Sequence, residues 1–181
     1  MALTATVYNL EVELSDVDRG VYTSLALRVA RQPSETAEYL LTRVLAYCLE
    51  SAEGLAFSRG LAEPDEPALS VRDLTGALQT WIGIGSPDAA RLHRASKAAA
   101  RVVVYTHKDP AALLRQLADA RIHRAAELEI YAIDRALLAA LAERLERRMQ
   151  LALTISDHHL YVTLGETTLS GAVTRHALGG S

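Results

Sequence analysis

A single cysteine among 181 residues excludes an internal disulfide. Cys48 also falls on the apolar stripe of a helical pattern, where a thiol packs rather than attacks. No window approaches the ~20 consecutive apolar residues that a bilayer demands. The opening "MALTATVYNLEVEL" has no basic region ahead of a continuous apolar run, so the chain reads as neither secreted nor membrane-spanning, and a cytoplasmic location fits. Aromatic residues make up 5% of the chain, too few for a base-stacking platform. The net charge of −3 is too near neutral for the whole-molecule field to advertise a nucleic-acid partner. Repeats, low-complexity tracts and interdomain linkers are lacking as well.

What is present is an apolar half, enough for one globular domain over residues 1–175 followed by a frayed tail at 176–181. Charge is distributed unevenly. From Arg91 to Arg124 eight Lys/Arg face two acids, a balance of +6, whereas from Glu50 to Asp73 six acids face two arginines, a balance of −4. Leu10, Val12 and Leu14 alternate with polar residues, and after "SDVDRG" the alternation resumes from Val21 to Val29, which predicts a β-hairpin. Period 3.6 follows in "SETAEYLLTRVLAYCLES", with Ser34 as expected N-cap and Glu35 and Glu38 favoured by the helix dipole. Strands are predicted in "LAFSRGL", "ALSVRDLTGALQTWIGIG", "RVVVYT", "LEIYAI", "LALTIS" and "HLYVTL". Helices are predicted from Pro87, over "DPAALLRQLADA", and over the long "DRALLAALAERLERRM". The fold class is α/β, a single-domain mixed sheet flanked by helices.

The stretch "WIGIGSPD", Trp81 to Asp88, runs a strand through two glycines into a helix start. A dinucleotide loop is set aside, because Asp88 stands where the third glycine belongs and an acid there competes with phosphate. Two readings stay open. In one, Gly85 gives the turn and Gly83 relieves crowding near Trp81. In the other, Gly83 marks a lost functional side chain. Elsewhere, Asp157-His158-His159 invites a metal or triad reading, but adjacent strand residues point to opposite faces and no third ligand is near, which favours a hairpin turn. Arg91, Arg94 and Arg101 lie near one helical face and could track a phosphate backbone; a solvated basic face is the alternative. His93 and Lys97 read as exposed helix residues.

The blocks "RQPSETAEYLLTRVLAYCLE", "LAFSRGLAEPDEPAL", "WIGIGSPDAARLHRASKAA" and "VVVYTH" together resemble the YaeQ family of bacterial proteins, over nearly the whole chain and in order. The resemblance implies a compact restriction-endonuclease-like core of the PD-(D/E)XK type, with a Mg²⁺ or Mn²⁺ site of acids on adjacent strands. If Asp73 to Gly76 forms a hairpin turn, position 83 faces Glu66 and Asp73 is only a turn residue. Asp65 and Glu66 are then the candidate catalytic acids and metal ligands, with Glu35 as a further ligand. The family pattern Trp-Ile-Glu-x-Gly-x-Pro-Asp implies a carboxylate at position 83, where this chain has Gly83. The motif lysine is absent at Gly85, and Arg94 or Lys97 on the following helix could stabilise phosphate charge without replacing a tuned lysine. The expectation is a degenerate Mg²⁺/phosphodiester site, with nucleic acid bound through the basic helix 87–101 by Arg91, Arg94 and Arg101. A non-catalytic adaptor with a protein partner and an active Mg²⁺-dependent nuclease are the alternatives.

Overall fold

The structure, a computed structural model, describes residues 4–58 and 66–178. The chain runs through β1 (Thr6–Asp16), β2 (Val21–Arg31), α1 (Ala37–Leu49), β3 (Leu55–Phe57), β4 (Leu69–Arg72), β5 (Leu78–Ile84), α2 (Ala89–Ala98) and β6 (Arg101–Thr106). It continues through α3 (Pro110–Leu117), a 3₁₀ turn at Ala125–Glu127, β7 (Glu129–Ile133), α4 (Arg135–Glu143), β8 (Arg148–Ser156), β9 (His159–Leu164) and β10 (Thr167–Ala177). The class is mixed α/β, as expected. These elements gather into two compact units, Met1–Leu49 with Ile133–Val173 and Glu50–Ala132 with Thr174–Ser181.

In the first unit the predicted hairpin is present, with Leu10 opposite Leu27 and Leu14 opposite Thr23. β1 also pairs in parallel with β8, and the strand order is β2-β1-β8-β9-β10. Even-numbered β1 residues (Leu10, Val12, Leu14) and odd-numbered β8 residues (Leu153, Ile155) are buried, and α1 and α4 add Leu40, Leu41, Leu138 and Leu141 to the same core. Cys48 is fully buried there, and burial pushes its thiol up to about 12, so it stays protonated and unreactive. The opposite sheet face keeps Asn9, Glu11 and Glu13 exposed. The tip between β8 and β9 is a two-residue turn, as expected for Asp157-His158, with both residues in the left-handed region at φ 52° and 57°. Their N–H groups donate to the Asp18 carboxylate at 2.7 and 2.9 Å, which offsets that strain and holds the Asp18 carboxyl below its ordinary value.

Three boundaries differ from the sequence expectation. The α1 cap is Thr36, whose Oγ1 accepts from Tyr39 N–H at 3.1 Å, not Ser34. The helix expected to reach residue 149 stops at Glu143, because the charged run that follows offers no apolar stripe and Met149, Leu151, Leu153 and Ile155 bury with period two. β10 carries the chain through Ala177, into the segment expected to fray.

The second unit has strand order β7-β6-β5-β4-β3, with β5-β6-β7 parallel and β3-β4-β5 antiparallel. α2 and α3 cover one face of this sheet, packing Leu92, Ala95, Leu113 and Leu117 on Trp81, Val102, Val104 and Ile130. Asp88 caps α2 by accepting from Arg91 N–H at 2.8 Å. Asp109 caps α3 in the same way through Ala111 N–H.

Candidate functional site

The two glycines after Trp81 have separate tasks. Gly85 adopts φ +85° and donates its N–H to the Tyr105 carbonyl at 2.9 Å, a left-handed step that turns β5 toward α2. Gly83 keeps space open. A Cβ there would stand 2.6 Å from Cζ3 and 3.0 Å from Cη2 of Trp81, and 3.1 Å from Cγ of Pro87. Trp81 is 1% exposed, and its indole fills the space beside position 83. The Arg91 guanidinium stands 5.3 Å from the Trp81 ring centroid, and its Nη2 donates to the Glu66 carbonyl at 2.6 Å. Glu66 thus enters through its backbone.

The expected partnership of Glu66 with position 83 does not form. Asp73 is indeed a turn residue: its carboxylate accepts from Thr75 N–H and Oγ1, Ala77 N–H and Gln79. But Asp73 N–H bonds to the Ala77 carbonyl, which makes a three-residue loop, and a bulge lies between Val71 and Arg72. Each feature adds one residue, so Leu69 faces Ile82 and Ser70 faces Trp81, and β4 begins only at Leu69, beyond Glu66. Asp65 lies outside the described residues.

The polar centre of this unit is one the sequence reading missed. Arg101 is the first residue of β6, not a helix residue, so it cannot share a helical face with Arg91 and Arg94. Its guanidinium is gripped by two carboxylates: Nη1 and Nη2 donate to Glu50 at 2.8 and 3.0 Å, Nε and Nη2 to Glu129 at 2.6 and 3.1 Å. Tyr105 donates its hydroxyl to Glu50 at 2.7 Å and Tyr131 donates to Glu129 at 3.0 Å, while the two rings stack 5.3 Å apart. Burial works against the Glu129 carboxylate, but the bonds and charge of Arg101, aided by Tyr131 and Arg175, outweigh it and hold the group below its ordinary value. Burial, then the Glu50 charge, push the Tyr105 hydroxyl well above its usual value. Burial would lower the Arg101 guanidinium, yet its carboxylate partners raise it. The signal for this centre was faint. Arg101, Tyr105, Glu129 and Tyr131 occupy same-face positions of two predicted strands, whereas Glu50 joins from 51 residues away in sequence.

The outer surface of α2 gathers a group of cations around His93. Arg94 and Lys97 are exposed there, and Arg121 and His123 reach the same place from the loop after α3. His123 N–H donates to His93 Nδ1 at 2.9 Å. Desolvation, then the charges of Lys97, His123, Arg121 and Arg94, lower the His93 imidazole below its ordinary value. Arg124, at φ 52°, donates to the carbonyls of Ser96, Ala99 and Ala100 and so closes the carboxyl end of α2. In the first unit, Glu35 is engaged by Arg43 at 2.8 Å and by Gln32 N–H at 3.2 Å. Among the described residues no group of three or more His, Cys, Asp or Glu side chains is placed to hold a metal ion. None of the described helices is long and apolar enough to cross a membrane.

Comparison with known proteins follows from this arrangement. The profile of the family described as YaeQ protein matches residues 1–173. The chain belongs to the YaeQ family. Its bacterial relatives include the YaeQ proteins of Salmonella typhi, 35% identical over 164 residues, and Escherichia coli (strain K12), 34% identical, each match covering 90% of this chain and 91% of the relative. The crystal structure of YaeQ from Xanthomonas axonopodis pv. citri is similar with a TM-score of 0.86 at 32% identity, over 96% of this chain and 99% of that one. The Pseudomonas syringae YaeQ structure gives 0.84 at 31%, over 98% and 97%. The YaeQ family is one of uncharacterised proteins, so membership carries no reaction with it.

Proposed function

We propose that this YaeQ-family chain binds nucleic acid without hydrolysing it, on a restriction-endonuclease-like core whose metal-dependent chemistry is lost. The observation that carries the proposal is the guanidinium of Arg101 between Glu50 and Glu129. Phosphodiester hydrolysis on Mg²⁺ or Mn²⁺ needs carboxylates open to the ion and an activated water. In this unit the pair of carboxylates that converge on one point already share a fixed, permanently charged cation. Beside position 83, where a motif acid would help, the Trp81 indole fills the space. The parallel β5-β6-β7 core with α2 and α3 on one face is compatible with the nuclease-like fold. Phosphate contacts fall to the outer surface of α2, where Arg94, Lys97 and Arg121 gather around His93.

The test is fluorescence anisotropy with labelled duplex DNA and RNA across a salt series, alongside incubation with Mg²⁺ and Mn²⁺. Each neutralised phosphate contributes a log–log salt slope of about −0.9 on duplex DNA. Arg94→Ala, Lys97→Ala and Arg121→Ala combined should flatten that slope by two to three contacts' worth, about 2 to 3. Arg91 and Arg101, committed to Glu66 and to the carboxylate pair, are left intact. Binding that is absent at low salt would overturn the proposal in favour of a protein partner, and metal-dependent nicking would overturn it in favour of a nuclease.

A further inference from the structure

The first unit carries an open groove of about 1280 Å³ on the sheet face opposite its helices. Across its floor, three adjacent strands place Arg28, Asn9 and Arg148 in one row: Asn9 pairs with Arg28 on one side and with Arg148 on the other. All three are exposed on the same face. Neighbouring strands lie ~4.8 Å apart, so the two arginine backbones are about 10 Å from each other with a carboxamide between them.

The charges on this face are sorted in an unusual way. Its acids are satisfied by neutral donors: Glu11 accepts from Gln150 Nε2 at 3.0 Å, and Glu13 accepts from Ser24 Oγ at 2.7 and 2.8 Å. Among the described residues, neither Arg28 nor Arg148 has an ion pair or a side-chain hydrogen bond, although Glu11 is only one step along the face. Arg147 also lines the groove, together with one further acid, Glu146. With Arg28, Arg147 and Arg148 set against Glu11 and Glu146, the lining keeps an excess of positive charge, and the two guanidiniums that flank the neutral amide are not held by either acid.

We propose that the Arg28–Asn9–Arg148 row is a binding site for the phosphoryl group of a small phosphomonoester. A carboxylate offers two coplanar oxygens, which one guanidinium fork meets edge-on in a single plane. A phosphoryl group offers three oxygens in a tetrahedral array and can accept from forks on two sides, with the Asn9 carboxamide donating from below. Among the described residues no aromatic side chain lines the groove, so ring stacking is not what holds the organic part of the ligand. The hydrogen-bonding surface of Glu11 and Gln150, next along the face, suits hydroxyl groups instead.

Isothermal titration with inorganic phosphate and with glucose 6-phosphate, at constant ionic strength set by chloride, tests this directly. Saturable binding of both is expected, and a melting temperature that rises with ligand concentration. Arg28→Ala and Arg148→Ala should each weaken binding about tenfold or more, the loss of one charge-assisted fork. Arg28→Lys keeps the charge without the fork and should fall between. Both arginines are exposed, so the variants retain the fold, which circular dichroism verifies; Arg115→Ala, on α3 of the other unit, should bind as the parent does. Lack of saturable binding of either probe by the parent, or equal binding by parent and Arg28→Ala/Arg148→Ala, would overturn the proposal. Neither result bears on the salt-dependent DNA binding assigned to α2, because the two surfaces share no residue.

Discussion

Gly83→Ala isolates the reason for the first glycine. Gly83 is absent from the positive-φ residues, so the backbone itself accepts alanine and any penalty is steric. The new methyl would sit 2.6 Å from Trp81 Cζ3, whereas nonbonded carbons rest at roughly 3.5–4.0 Å, so the ring must retreat by about 1 Å. It has little room to do so. Leu92 and Leu113 pack around it, and Arg91 is stacked over its face. Overpacking of this kind costs roughly 1–3 kcal/mol, from which the smaller unfolded-state entropy of alanine removes ~0.4–1. The net destabilisation should be about 1–2 kcal/mol. With an m-value of roughly 1–3 kcal/mol per molar urea, the midpoint should fall by about 0.5–1 M. Cζ3 and Cη2 belong to the six-membered ring of the indole, so Trp81→Phe shortens the side chain where the clash occurs. Trp81→Phe destabilises alone, but in combination Gly83→Ala should cost at least 1 kcal/mol less than it does in the parent, a coupling of the size seen between touching residues. Far-UV circular dichroism is the readout, because Trp81 is the sole tryptophan and its replacement removes the fluorescence signal. A Gly83→Ala midpoint indistinguishable from the parent, or strictly additive effects, would refute the claim that the glycine exists to admit the indole.

Three further outcomes follow from the ion pairs and the hairpin. Glu129 has its folded pKa below the ordinary value near 4.5, so its contribution to stability is complete above that value and drains away as pH falls through the folded pKa; Glu129→Gln should flatten the acid limb of an unfolding-versus-pH curve, and an unchanged limb would refute the pairing. Arg101→Met leaves Glu50 and Glu129 facing each other without their cation; with the arginine 37% exposed, solvent screening limits the loss to roughly 1–3 kcal/mol, and urea titration showing no loss would contradict the network. Asp18→Ala removes both acceptors from the Asp157-His158 turn and should cost about 1 kcal/mol, a modest figure because the carboxylate is exposed, with backbone amide exchange at 157 and 158 accelerated.

Elements set by local pattern were legible in the sequence. The β1–β2 hairpin follows from alternation around "SDVDRG", and the turn at Asp157-His158 from the spacing of two short strands. The α2 start follows from Pro87 and Asp88, though the helix opens at Ala89, two residues beyond Pro87. What escaped depends on increments of a single residue. The register between β4 and β5 was off by two because a three-residue loop and a bulge each added one, and neither leaves a mark in a hydrophobicity pattern. Similarly, Arg101 looked like the end of a basic helical face because only two residues, Ala99 and Ala100, separate α2 from β6 in a stretch whose composition does not change.

Arg101 also explains why counting charge along the chain misjudged the surface. Eight basic residues from Arg91 to Arg124 give the segment a balance of +6, and Arg91, Arg94 and Arg101 were expected near one helical face. In space they serve different ends: Arg91 ties Trp81 to the Glu66 carbonyl, Arg101 binds two acids, and Arg124 closes a helix. A guanidinium can do all three because its fork bonds carbonyls and carboxylates alike and its plane stacks on an indole. The acids of the preceding segment were misjudged in the same way. Glu50 counts toward an acidic stretch in sequence, yet its charge is spent on Arg101, while Glu66 contributes only its backbone to Arg91. The apparent attraction between an acidic and a basic segment is thus resolved inside the second unit as specific pairs. Lys97, Arg94 and Arg121 gather around His93 while Lys108 and Arg115 stand exposed elsewhere in the unit, so an electrostatic partner has to be matched to separate small groups rather than to the total.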